Sequence, residues 1–127
     1  MAHIALPDGV PGIVGPMMAY PETEKHLNGL AEALLRGRSS LTPAEREVIA
    51  TYVSSQNECF FCMNAHAATA RYLLGPDHEV VDHVMISVEN APISAKLKAL
   101  LIIAGKVQKG GRRVSGEDVA RAGRRRR

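Results

Sequence analysis

The chain of 127 residues has only two cysteines, Cys59 and Cys62. They are too few and too close together to staple a secreted fold, so their meaning must be local chemistry. Nothing approaches the roughly 18 apolar residues of a membrane span, and Met1 to Pro16 lacks the basic start and long apolar run of a leader. These absences predict a soluble, cytoplasmic protein with no membrane partner. Strand signals are weak throughout and there is no internal repeat. The seven prolines and eleven glycines punctuate apolar periodic stretches and form no low-complexity tract.

What is present suits one globular domain. Hydrophobic residues make up 46% of the chain, enough for a single core at this length. We expect one domain over residues 1–123 and a basic tail over 124–127. The formal net charge is +3, but it is unevenly placed. From Lys106 onward nine Lys and Arg face only Glu117 and Asp118, a balance of +7, so residues 1–105 carry −4. Arg124 to Arg127 have no interleaved aromatics. Such runs are usually solvated tails that attract polyanions without specificity, so no specific nucleic-acid partner is expected.

The periodicity predicts an all-α fold of about six to seven helices. A short apolar helix is expected from about Ile13 to Tyr20. A second runs from Pro21 to about Arg36, with Leu27, Leu30, Ala31, Leu34 and Leu35 on one face. Thr42-Pro43-Ala44-Glu45 spells a capping box with proline at the first helical position, so a third helix starts there, its apolar stripe being Val48, Ile49, Tyr52 and Val53. The polar cluster Ser54 to Asn57 loosens its end. Cys59 to Leu74 lacks Gly and Pro and should be helical until Gly75-Pro76, with the cysteines in its first turns. Further helices are expected from about His78 to Ser87 and from about Ile93 to Gln108. The latter is apolar over most of its circumference and therefore buried on several sides, in part by another subunit. Ser115, with Asp118 three residues on, caps a last short helix.

The chemistry concentrates in Cys59-Phe60-Phe61-Cys62-Met63-Asn64-Ala65-His66. On a helix the two thiols and the imidazole share one face. A Cys-x-x-Cys turn can close a disulfide, and the helix N-terminus stabilises a thiolate. The first thiol is nearer the helix start, whereas His66 lies four residues after Cys62 and can take its proton; we favour Cys62 as nucleophile. Cys59 then resolves the sulfenic acid as a disulfide that an external dithiol reduces. Glu47 on the preceding helix is not selected by its position alone.

Arg46-Glu47, Asn57, Cys59, Cys62 and His66, within the phrase Leu41 to Leu74, resemble the alkylhydroperoxidase D-like (AhpD-like) branch of the carboxymuconolactone decarboxylase superfamily. The resemblance implies a compact helical domain that forms homo-oligomers, commonly trimers or hexamers. It also implies a peroxidase whose second cysteine, here Cys62, attacks a hydroperoxide while Cys59 resolves, with His66 and Glu47 relaying protons. The implied partners are the hydroperoxide and a dihydrolipoamide-like dithiol. Relatives often carry His or Tyr where Phe61 stands, so the relay implied here is shorter. The likeness runs to about Gly123, after which many relatives add helices. The expectation is a minimal version that completes its core by oligomerising, or a truncated or altered terminus.

Other readings stand beside this one. With His66 and Glu47 the two thiols could complete a zinc site, but zinc-binding pairs more often sit on a loop than on one helical face, and we expect no metal and no cofactor. Inert buried thiols are a further alternative. Phe60, Phe61 and Met63 read as core residues. At the level of function the alternatives are a non-catalytic redox-sensing oligomer and a decarboxylase-type enzyme, whose known examples generally lack the cysteine pair.

Overall fold

The computed structural model of the chain describes residues 2–123; the arginine run 124–127 lies outside the described residues. Among the described residues there are seven α-helices, two short 3₁₀ turns and no strand. No helix among them is long and apolar enough to cross a membrane. The chain divides into two compact units, Met1–Ser40 and Leu41–Arg127.

The first unit holds α1 (Val14–Ala19) and α2 (Pro21–Arg36). Tyr20 is their only separator: its amide donates to the carbonyls of Pro16 and Met17, and its own carbonyl accepts from Thr23 and Glu24. Pro21, with no amide hydrogen to satisfy, fits the first turn of α2. Glu22 and Glu24 at its start and Arg36 at its end complement the helix dipole. The predicted stripe is present, yet α2 buries no residue, and Leu27, Leu30 and Leu34 remain exposed.

The second unit contains α3 (Pro43–Gln56), α4 (Phe60–Leu74), α5 (Val80–Ile86), α6 (Ala95–Lys109) and α7 (Gly116–Gly123). The capping box forms as read: Thr42 Oγ1 accepts from the Glu45 amide at 3.1 Å, and Glu45 Oε2 accepts from the Thr42 amide at 2.8 Å. Such a cap typically stabilises a helix by about 1 kcal/mol. The core joins Val48 of α3, Ala67 and Ala70 of α4, Val81 and Val84 of α5, Ala91, and Leu97 and Leu101 of α6. Alanine on the inner face of α4 lets α3 approach it closely, and this is the most extensive helix pair in the fold.

Two helix starts differ from the sequence reading. A 3₁₀ turn over Gly75–Asp77 takes up the chain before α5, which therefore begins at Val80. α6 begins at Ala95, because Ser94 Oγ accepts from the Leu97 amide at 3.1 Å and makes Ser94 the cap. Around α6, Leu97, Ala99, Leu101 and Gly105 are buried, while Val107 is 55% exposed.

Asp118 anchors α7. Its Oδ2 accepts from the amide and hydroxyl of Ser115 at 2.8 and 2.9 Å, and Lys106 Nζ from α6 donates to both carboxylate oxygens at 2.7 and 2.6 Å. The Lys106 ammonium first, and then Ser115, hold the carboxyl at about 2, below its ordinary 3.8. A carboxyl that titrates lower when folded adds stability that is complete above its unfolded pKa and is lost as pH falls through the folded one. We predict that α7 detaches as pH falls from 3.8 toward about 2. Circular dichroism of wild type should lose a helical increment there, one already missing from Asp118→Asn at neutral pH.

Candidate active site

The site is built on the hairpin of α3 and α4. α3 closes with a Schellman turn: the amide of Glu58 donates to the Ser55 carbonyl and that of Cys59 to the Ser54 carbonyl, both at 3.0 Å. That turn needs a left-handed residue, and Glu58 supplies it at φ 55°, the one non-glycine residue with positive φ among those described. Glycine usually occupies this position; an L-residue there costs about 1 kcal/mol. From α6, Gln108 Nε2 donates to the Gln56 carbonyl at 3.1 Å and to Asn57 Oδ1 at 3.0 Å, which holds the turn in place.

Three residues after α3 ends, α4 begins. Cys59 is its N-cap, with extended backbone, and its sulfur accepts from the Cys62 amide at 3.3 Å. Cys59 and Cys62 are joined in a disulfide, their Cα atoms 5.3 Å apart, inside the usual range for such a bond. Cys62 is the third residue of the helix, where the positive end of the helix dipole favours a thiolate.

One turn further along α4, His66 Nδ1 donates to Glu47 Oε2 on α3 at 2.7 Å. Glu47 is 2% exposed and ranks among the largest fully buried side chains, whereas the His66 side chain is 32% exposed. A buried carboxylate needs such a partner, and the pair crosslinks the hairpin. With Nδ1 committed to Glu47, Nε2 is the nitrogen left to exchange protons elsewhere. No hydrogen bond joins His66 to either sulfur among the described residues. The four singled-out residues thus form two bonded pairs, Cys59 with Cys62 and His66 with Glu47. Four residues of α4, about one helical turn, connect them.

These groups do not converge as metal ligands: among the described residues no three of His, Cys, Asp or Glu are placed to hold an ion. Nor are the sulfurs sealed in hydrocarbon. Both cysteines are half-buried, and Cys59 borders an open cleft of about 140 Å³ lined by Ser55, Glu58, Phe60 and Met63. Here the expectation that Phe60 and Met63 are core is corrected. Phe60 is 77% exposed, because it sits at the tip of the hairpin, and Met63 lines the same cleft; Phe61 is half-buried. Sequence reasoning also missed Glu58 and Gln108. The only trace of Gln108 was its place at the end of α6, and a glutamate gives no sign that its backbone is left-handed.

Residues 21–105 match the model of the carboxymuconolactone decarboxylase family. Among solved structures the chain is similar to a peroxidase-related protein from Ralstonia eutropha JMP134, described as an alkylhydroperoxidase AhpD core. The two are 30% identical with a TM-score of 0.76, over 89% of this chain and 59% of that one. It is likewise similar to a peroxidase-related protein from Silicibacter sp. TM1040, at 30% identity and a TM-score of 0.75, over 85% of this chain and 58% of that one. The chain thus spans just under six tenths of each relative's length. No protein of curated function matches it. On the family match and the fold it shares with these structures, the chain belongs to the carboxymuconolactone decarboxylase family, in its alkylhydroperoxidase D-like branch.

Proposed function

We propose that the protein is a thiol peroxidase that reduces hydroperoxides through Cys62 and Cys59. The observation that carries this reading is the disulfide at the start of α4, with an imidazole held by a buried carboxylate one turn away. It favours redox chemistry over the decarboxylation from which the family takes its name, since a decarboxylase has no use for a reversible sulfur pair.

In the reduced enzyme His66 Nε2 takes the Cys62 proton, and Glu47 holds Nδ1 and balances the imidazolium. The Cys62 thiolate attacks the terminal peroxide oxygen and the O–O bond breaks. The sulfur becomes a sulfenic acid and the alcohol leaves with the proton from His66. Cys59 then attacks the Cys62 sulfur, water departs, and the disulfide forms. Two electrons from a dithiol of the dihydrolipoamide type, with two protons, restore the thiols. Phe61 cannot carry a proton, so the relay is His66 and Glu47 alone.

The setting proposed with this chemistry is the cytoplasm, and the unit proposed for it is a homo-oligomer, trimer or hexamer, of a single domain spanning residues 1–123. The exposed leucines of α2 and Val107 of α6 support the association. The test is stoichiometry. With dithiol present, hydroperoxide consumption should exceed the enzyme by many equivalents, and without dithiol it should stop at one. A stop at one equivalent in both cases would leave only a redox sensor.

A further inference from the structure

Two features at the hairpin tip have no part in the mechanism above. One is the open cleft beside Cys59, and the other is the left-handed glutamate on its rim. The cleft is lined by Ser55, Glu58, Cys59, Phe60 and Met63, and Cys62 does not contribute to it. We infer that the reductant opens the disulfide at Cys59 from this cleft, and that Glu58 selects it by charge, admitting neutral or cationic thiols and disfavouring anionic ones. The inference rests on the reading of the disulfide as an intermediate reduced by an external thiol.

The point of attack follows from access. An incoming thiolate bonds to the Cys59 sulfur, the S–S bond breaks, and its electron pair departs on Cys62. Cys62 leaves as the third residue of a 15-residue helix, in the positive field of the helix N-terminus. A second thiolate, the other sulfur of a dithiol, attacks the mixed disulfide at the reductant's own sulfur and expels Cys59. Reductant and enzyme exchange two electrons and two protons in all. Attack at Cys62 would instead expel Cys59, but Cys62 does not border the cleft. The same polarity returns Cys62 as the thiolate that the next hydroperoxide meets.

Charge selection follows from Glu58. Glu58 lines the cleft next to Cys59, and none of the ion pairs among the described residues involves it. Its charge is therefore uncompensated by contact where a thiolate, itself negative, must enter. The turn geometry favours glycine here, so the acidic side chain occupies a position that the backbone does not favour it for. Such positions concentrate at functional sites. Phe60, exposed on the same rim, offers an apolar surface to the carbon skeleton of the thiol.

The test is the rate at which the oxidised protein is reduced by 2-mercaptoethanesulfonate, 2-mercaptoethanol and cysteamine, followed by stopped flow and compared per thiolate. Wild type should favour the cationic thiol over the anionic one. In Glu58→Gln that ratio should fall roughly threefold to tenfold at low salt, and Glu58→Lys should reverse the order. Salt at about 1 M, which shortens the screening length to about 3 Å, should have the effect of Glu58→Gln. Acid quench and peptide mapping should find the mixed disulfide on Cys59. A ratio unchanged in both variants, or a mixed disulfide on Cys62, overturns the inference. Hydroperoxide consumption is read on the same samples. Its absence with the charge order intact would sink the peroxidase reading alone, and turnover with a charge-blind ratio would sink the role of Glu58 alone.

Discussion

Cys62→Ser should reduce dithiol-dependent hydroperoxide consumption to the uncatalysed rate, whereas Cys59→Ser should retain a single fast turnover and then stall. The difference comes from position. Cys62 lies inside the first turn of α4 with an imidazole four residues on, whereas Cys59 caps the helix from outside and borders the cleft. A serine hydroxyl at position 62 has no accessible anion at neutral pH and cannot replace a thiolate toward peroxide oxygen. At position 59 a serine leaves the nucleophile intact but removes the group that condenses with its sulfenic acid. Stopped-flow consumption in a single-turnover experiment separates the two. Equal loss in both variants at the first turnover would show that the cysteines do not divide the work in this way.

Glu47→Gln should lower turnover by about 10²-fold, within the usual range for removing a positioned acid or base partner. The carboxylate is acceptor only, so it keeps the proton of His66 on Nδ1 and leaves Nε2 open. An amide of the same shape can offer N–H to Nδ1 instead, which moves the ring proton to Nε2 and removes the base that the proposed relay needs there. It also removes the charge that balances an imidazolium. The variant should fold, because the glutamine fills the same buried space; circular dichroism checks this. The reaction of reduced Cys62 with iodoacetamide should slow in parallel with turnover. Unchanged alkylation and turnover would reduce Glu47 to a structural crosslink between α3 and α4.

Why the sequence announced some of this and concealed the rest is visible in α3. Its start was plain, since Thr42, Pro43 and Glu45 satisfy local amides by local rules. Its inward face was not. The apolar pattern points to Val48, Ile49, Tyr52 and Val53, but the buried stripe is Glu47, Val48, Thr51 and Ser54. Glu47 lies inside because it is paired with His66, and Thr51 because its Oγ1 donates back to the Glu47 carbonyl at 2.8 Å. A reading that follows hydrophobicity therefore rotates the helix away from its functional face, and only the resemblance in the Glu, Cys, Cys, His spacing drew attention to Glu47. The cap of α7 was readable for the same local reason as that of α3, although its lysine partner, twelve residues earlier, was not. Ser94 carried its capping signal in plain view beside Pro92, and the proline outweighed it. Glu58 was beyond reach, since nothing in a glutamate foretells positive φ.

The most direct test of the central assignment is chemical trapping of the oxidised sulfur. Cys59→Ser, reduced and then treated with one equivalent of hydroperoxide in the presence of dimedone, should yield a sulfenic-acid adduct on Cys62, located by mass spectrometry of its peptide. Recovery of Cys62 as an unmodified thiol while the peroxide persists would contradict the account.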